Sequence, residues 1–429
     1  MRLELVPVSE IKITQNLRRI GVAAVPLLLL ALSLMTLKWA AGRAVALQAE
    51  TPEEAEYAIG MAPGDPQTHF AAGVLRTETF APENHDLALT HFENAAALSP
   101  YDYLIWLELG RARERSGEAK SGEEALRFAS ALAPNYSSVQ WALGNNLLRQ
   151  GRYDEAFAEI RNAAQSDPKY TAPAVGVLWN VLNGNTDDIQ KALGDLPEAR
   201  SPLISALSSA GRHDEAVAIW NSLSEDEKRS ELAAAAGNRL LKTLIGEKRF
   251  RDALKIVAGR TEGTAVPVLA TVTNGGFESP INIRAASLFD WTFPDGSEPQ
   301  ISQTDGSRHS GSYSLVYVFG NSSDKFRSLS QTVAVEPGKR YRLEFFYRSE
   351  LKTRAKLVWK ITDRSDKKVL AASDPLKDRV GEWENVRVSF AVPDGTDGIQ
   401  IALVREGCSG TQCAVGGLLW LDDISLAAE

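Results

Sequence analysis

A chain of 429 residues is long enough for two or three domains, each able to bury its own core. With 44% hydrophobic and 24% charged residues it has the composition of an ordinary globular protein, not of a disordered or fibrous one. A net charge of −8 argues against nucleic acid as a main partner, because binding phosphate needs concentrated cations.

The first predicted element is a membrane helix. Ile20 to Leu37 runs 18 residues without a charge. Continued through Trp39-Ala40-Ala41, at about 1.5 Å per residue, it can cross a hydrocarbon core of roughly 30 Å, so residues 20–41 are expected to be a transmembrane anchor. Arg2, Lys12, Arg18 and Arg19 precede it, against Lys38 and Arg43 after it. That bias makes residues 1–19 a short cytoplasmic tail and puts the rest of the chain outside. A cleaved signal peptide is the competing reading, with Ala44-Val45-Ala46 as the small-residue site. That site lies beyond Lys38 and Arg43, however, and the apolar run is longer than a usual signal core. Both readings export the remainder. The expected location is a bacterial inner membrane, single-pass, with the bulk of the chain periplasmic.

Residues 44–260 repeat themselves. Ala62-Pro63, Ser99-Pro100, Ala133-Pro134 and Asp167-Pro168 end successive units, the last three spaced by 34 residues and the first gap by 37. Trp106-Leu107-Glu108-Leu109-Gly110 opens one unit, with Ala129 and Pro134 behind it. Leu143-Gly144, Ala156, Ala163 and Pro168 mark the next. An earlier unit has Gly73, Ala88, Phe92, Ala95 and Pro100, with three inserted residues around Phe80-Ala81-Pro82. The period and these offsets resemble the tetratricopeptide repeat, in which small residues let paired helices approach and proline stops the second helix.

Gly151-Arg-Tyr-Asp-Glu-Ala156 returns as Gly211-Arg-His-Asp-Glu-Ala216 and, loosened, near Gly246 to Ala253. About five units are expected, with Thr171 to Arg200 departing from the pattern. Such an α-solenoid offers a groove for a protein partner, or serves only as a spacer. His69, His85, His91 and His213 show no metal-ligand spacing and are read as packing or surface residues, as are Trp106, Trp141 and Trp220.

After a linker at 261–271 the period changes from helical to two. Tyr313–Phe319, Leu329–Val335, Tyr341–Tyr347, Lys356–Ile361, Val386–Phe390, Gly398–Val404 and Leu418–Leu426 alternate apolar and polar residues between turn signals. This predicts an antiparallel β-sandwich over 272–427. The predicted fold class is thus multidomain α and β: a transmembrane helix, an α-solenoid and a jelly-roll sandwich.

Asn274-Gly-Gly-Phe-Glu278 with Trp291, Ser307-Arg-His-Ser-Gly-Ser-Tyr-Ser-Leu315, Leu329-x-Gln331, Pro337-Gly-Lys-Arg-Tyr341, Gly381-Glu-Trp383 and Leu421-Asp-Asp-Ile-Ser-Leu426 follow one another in the order seen in carbohydrate-binding modules of the family 4/9 type. The resemblance covers about a third of the chain. It implies a galactose-binding-like jelly roll, with Asn274–Glu278 as its opening strand. It also implies a structural calcium held by Glu278 and Asp422, with carbonyls near Arg308 and His309 completing the shell. The alternative is that these carboxylates cap turns or meet cations such as Arg308.

Within the sandwich, Leu343, Phe345 and Tyr347 share a core face, and Arg342, Glu344, Phe346 and Arg348 share the other. Lys360 and Arg387 also alternate with core residues, so the outward faces read as cationic. Expected glycan contacts are Phe346, Arg348, Lys360 and Arg387, with Trp291 and Phe293 as an edge platform. That set favours an anionic or polar glycan; a solvated face without a ligand is the alternative. Cys408 and Cys413 share one glycine-rich loop, and an exported compartment favours a disulfide between them over two isolated thiols.

No Walker loop, nucleophile elbow, zinc-protease motif or dinucleotide fingerprint occurs, so a non-enzyme is expected. The leading expectation is a membrane-anchored scaffold that grips a protein through its repeats and a polysaccharide through its sandwich, in exopolysaccharide or envelope assembly. The alternatives are a pure protein-assembly scaffold and a polysaccharide-active protein.

Overall fold

The computed structural model describes residues 15–429 apart from 79–82, 262–264, 282, 285, 324 and 408–412, with backbone alone at 15–23, 83 and 321–323. Cys408, the inserted Phe80-Ala81-Pro82 and the basic tail residues Arg2 and Lys12 lie outside the described residues. The chain divides into two compact units, Met1–Pro197 and Glu198–Glu429.

The first unit opens with a single helix, α1 (Gln15–Gln48), which runs through Pro26 without a break. Its apolar stretch is exposed, with Leu27 at 65% and Met35 at 72%. From Ala24 it is long and apolar enough to cross a membrane or to act as a signal sequence. Its last turns behave differently. A Cβ on Gly42 would sit 2.8 Å from that of Ala62, so α1 presses against the end of α2 (Pro52–Met61). Ala46 is buried with Ala55, Ala58, Ala71 and Ala72. Arg43 reaches the wholly buried side chain of Asp65 at 3.6 Å. The expected border between an anchor ending at 41 and repeats starting at 44 is therefore not a break in structure. One helix supplies both the apolar segment and half of the first helix pair.

Helix pairs follow: α3 (Pro66–Thr77) with α4 (Glu83–Leu98), α5 (Tyr103–Arg115) with α6 (Ala119–Leu132), and α7 (Ser137–Arg149) with α8 (Tyr153–Ser166). Asp65 and Asp102 cap two of the first helices by accepting from backbone N–H groups in the opening turn. Each pair closes around a glycine. A Cβ on Gly110 would meet Leu126 at 2.6 Å, and one on Gly144 would meet Ile160 at 2.8 Å, at the same sequence spacing. Gly73 meets Phe92 at 2.7 Å, three residues further along, which is the length of the insertion. Thr171 to Arg200, which breaks the sequence pattern, contains a shortened pair, α9 (Thr171–Val181) and α10 (Thr186–Leu193). Among the described residues, the sequence count of about five units is low by that pair and by the pair that α1 forms with α2.

Ionic contacts tie the layers together. Glu123 on α6, only 8% exposed, accepts from Arg127 (2.7 Å), Arg152 (2.6 Å) and Gln150 (3.0 Å). Burial opposes its ionisation, but these donors outweigh it and hold the carboxyl down to about 2. Among the histidines, His91 meets Glu56 at 3.0 Å and His213 meets Glu247 at 2.9 Å, as structural partners and not as a metal set.

The second unit begins with α11 (Arg200–Ser209), α12 (His213–Ser222), the short α13 (Glu225–Arg229), α14 (Glu231–Gly246) and α15 (Phe250–Ala258). Among the described residues a sandwich of nine strands follows: β1 (Gln300–Thr304), β2 (Ser314–Ser323), β3 (Ser330–Ala334), β4 (Arg340–Thr353), β5 (Lys356–Asp363), β6 (Val369–Ala372), β7 (Arg379–Ala391), β8 (Gly398–Glu406) and β9 (Val415–Ala428). They form two antiparallel sheets, ordered β1-β2-β9-β4-β7 and β3-β8-β5-β6. Between them lies one core that includes Tyr317, Leu343, Phe345, Tyr347, Trp359, Ile401 and Leu421.

The last helices go with the sandwich for a local reason. Asp397, just before β8, caps α15 by accepting from the N–H groups of Phe250 (2.9 Å) and Arg251 (3.2 Å). Phe250 packs so closely on Gly398 that no side chain fits there. The Arg364 guanidinium lies 5.6 Å from the Phe250 ring.

Asn274–Glu278 is not the expected opening strand. It is a turn in which Asn274 (φ 51°) and Phe277 (φ 56°) take the left-handed conformation. The Asn274 side chain closes it with reciprocal bonds to Ser279.

Candidate glycan-binding face

Strand β4 alternates buried and outward residues along its whole length. Arg342, Glu344, Phe346, Arg348, Glu350 and Lys352 point away from the core. Register aligns Arg348 with Trp420 of β9, and Trp420 with Val316 of β2. The Arg348 guanidinium lies 5.1 Å from the Trp420 ring. The outer side of the five-stranded sheet therefore carries aromatic area that the core does not use.

The loop from Gly306 to Tyr313 folds over one end of that face. The His309 ring stacks on Phe346 with centroids 3.6 Å apart and planes at 14°, and Trp383 meets His309 edge-on at 6.0 Å. His309 and Trp383, with Ser307, Arg308, Arg348 and Glu382, line a hollow of about 510 Å³, and Phe346 lies against His309. A stacked aromatic group beside hydroxyl, guanidinium and carboxylate groups suits a sugar ring, with its apolar CH face and polar rim.

Four acidic oxygens hold the loop in place. Asp422 Oδ2 accepts from the N–H of His309 (2.7 Å) and of Ser310 (3.3 Å). Asp423 meets His309 Nδ1 at 2.6 Å and accepts from the Ser310 hydroxyl at 2.9 Å. Glu278 Oε1 accepts from the N–H groups of Ser312 (2.9 Å) and Tyr313 (3.1 Å). Gly311 has φ 61° and sits against the Glu278 carboxylate, where a Cβ would overlap it. Burial lifts the Asp422 carboxyl to about 6 against the pull of the His309 N–H, and neighbouring Asp423 adds to the lift.

Glu278 and Asp422, expected as calcium ligands, do meet the same loop. The bonds they accept are from N–H groups, which repel cations. As arranged, the residues fit a loop clamp and not a calcium shell. Among the described residues no group of three or more His, Cys, Asp or Glu is placed to hold a metal.

Residues 269–407 match the family described as a carbohydrate binding domain, of the 4/9 type. The chain carries a carbohydrate-binding module behind tetratricopeptide-like repeats. On the helical side, 92 residues are 32% identical to Superkiller protein 3 of Schizosaccharomyces pombe (strain 972 / ATCC 24843), over 21% of this chain and 6% of that protein. The chain thus spans a small fraction of that relative's length.

Two of the similar solved structures are "CBM4 structure and function" and "Crystal structure of MamA". The first is 19% identical, covering 37% of this chain and 99% of that one, with a TM-score of 0.27. The second is 16% identical, covering 35% and 85%, with a TM-score of 0.31. Likenesses at these TM-scores support no argument about function. Modules and repeats of these two kinds are typically non-catalytic, and the pair points to sugar binding and protein interaction.

The expected site residues of the module do not converge. Trp291 is 2% exposed and belongs to the core, flanked by Phe277 and Trp359 and donating to the Asn274 carbonyl at 3.0 Å, so it offers no platform. Phe293 is half-buried, with the Arg327 guanidinium 4.7 Å from its ring centre. Lys360 lies on the other sheet, paired with Glu406 at 3.0 Å. Arg387 is neutralised by Glu344 at 2.9 Å, and Arg348 meets Glu350 at 3.3 Å. The expectation of an open cationic surface built on these three is therefore corrected: each already faces a carboxylate.

Phe346 and Arg348 remain on the shared face, joined by His309, Trp383 and Trp420. Sequence reasoning missed those three. Trp420 was legible by parity, since it alternates with Leu419 and Leu421. His309 and Trp383 were not, because loops bring them in. Cys413 is in a disulfide, and no free thiol occurs among the described residues.

Proposed function

We propose that the protein is a non-catalytic, membrane-anchored scaffold that holds a protein partner through its helix pairs and a polysaccharide on the outer face of the five-stranded sheet. The observation that carries this reading is the His309–Phe346–Trp383 group, clamped by Asp422 and Glu278 in a module matched to a carbohydrate-binding family. A loop held by charge-assisted bonds on both sides keeps its aromatic ring in place before a ligand arrives, which lowers the entropy cost of binding.

The anchor is α1 itself. Cleavage after Ala46 would strip Gly42, Arg43 and Ala46 from their packing and leave Asp65 buried without its cation, so retention of the helix is the favoured state. The same helix sets the repeats next to the membrane, on its periplasmic side in a bacterial inner membrane, in keeping with a part in exopolysaccharide or envelope assembly.

The test is a glycan array and affinity electrophoresis with the full chain, its Trp383→Ala variant and its Phe346→Ala variant. Retention by at least one polysaccharide, lost in both variants while the melting profile is kept, is the expected result. A parent that binds no polysaccharide refutes the reading. It would favour a pure protein-assembly scaffold, in which the close cover of Phe346 by His309 is simply packing.

A further inference from the structure

The outer face does not end at the aromatic group. Further along β4, beyond Arg348 and Glu350, lies a second hollow of about 790 Å³, lined by Lys352, Thr353, Arg354, Asp378, Arg379 and Ala414. Lys352 shares the outward side of β4, and Arg379 is in register with Glu350. Opposite Lys352 stands Gly416, so no side chain of β9 rises there to fill the space.

Charge separates the two ends. Arg342, Arg348 and Arg387, nearer the aromatic group, are each paired with a carboxylate. Lys352, Arg354 and Arg379 are exposed and have no ion-pair partner among the described residues, and Asp378 is the one carboxylate lining their hollow. Three cations gathered in one hollow repel one another, and an anion placed among them relieves that repulsion. From Phe346 to Thr353, where β4 ends, the strand extends roughly 23 Å, at about 3.3 Å per residue, the reach of a linear oligosaccharide and not of a single sugar.

We propose that this hollow is a second subsite, which takes a carboxylate or sulfate carried by the same polysaccharide chain that lies on the aromatic group. The inference rests on the glycan reading above and adds the ligand class: a linear acidic polysaccharide, gripped by stacking at one end of the face and by charge at the other. The earlier candidates Lys360 and Arg387 play no part in it, since both are already neutralised.

The test measures binding of the full chain to polygalacturonate, alginate and dextran sulfate, and to neutral β-1,4-galactan and cello-oligosaccharides, at low and high salt. The variants are Lys352→Ala/Arg354→Ala, Arg379→Ala and, as a charge reversal, Arg354→Glu. These residues are exposed, so the fold should survive, and the melting profile checks that. The expected result is an acidic ligand preferred by the parent, weakened about tenfold or more in the double variant, and less sensitive to salt there than in the parent. Neutral ligands should be unaffected by the same changes, whereas Phe346→Ala should weaken both classes. If the parent binds neutral glycans as well as acidic ones, or the charge variants leave acidic binding intact, the second subsite is refuted while the aromatic site stands. If the parent binds none of the glycans, both readings fall together.

Discussion

Replacing Glu123 by Gln keeps the size of the side chain and removes the charge that two arginines and Gln150 surround. An ordinary glutamate at 4.5 against about 2 in the folded chain corresponds to roughly 3 kcal/mol, at 1.36 kcal/mol per pH unit. Arg127 and Arg152 are themselves 47% and 38% exposed, and solvent screening trims the expected loss to about 2 kcal/mol at pH 7.

The sign with pH follows from the lowered value. The stabilisation is complete above about 4.5 and fades as the pH falls towards 2, so roughly half is gone by pH 3. Hydrogen exchange of α6 to α8, with urea unfolding followed by tryptophan fluorescence, reads the effect on parent and Glu123→Gln chains at pH 7 and pH 4. The gap between the two should be about 2 kcal/mol at the higher pH and smaller at the lower. Equal protection at pH 7, or a gap that widens on acidification, would refute the account of Glu123 as an ionic tie between helix layers.

Two further outcomes follow from the packing and the loop clamp. Gly144→Ala should destabilise α7 and α8 by about 1–2 kcal/mol in the same assay, because overpacking against Ile160 at 2.8 Å outweighs the helix propensity gained; unchanged stability would mean the helices can part freely. Melting of the full chain should be the same in millimolar calcium and in chelator, while Glu278→Ala lowers the sandwich transition by roughly 1 kcal/mol through the two lost N–H bonds. A rise in melting temperature with calcium that disappears in Glu278→Ala would restore the metal reading.

Periodicity is a local property, and what it encodes could be read directly. The spacing of Pro100, Pro134 and Pro168 fixed the helix pairs, and the alternation from Leu343 to Arg348 assigned core and outer faces of β4 as the structure has them. The glycines Gly110 and Gly144 told of close helix contact before any partner was known. Even the departure at Thr171 to Arg200 was visible, although the shortened pair within it was not.

What the tertiary structure alone decided is who meets whom. Arg387 and Lys360 looked like free cations because their carboxylates, Glu344 and Glu406, sit on neighbouring strands far away in the chain. Trp291 looked like a loop platform until the sheets closed over it. His309 became a site residue because the order β2-β9-β4 brings Asp422 and Phe346 beneath its loop. Pairing across strands depends on register and sheet order, which depend in turn on the whole chain folding, and no local pattern carries that information.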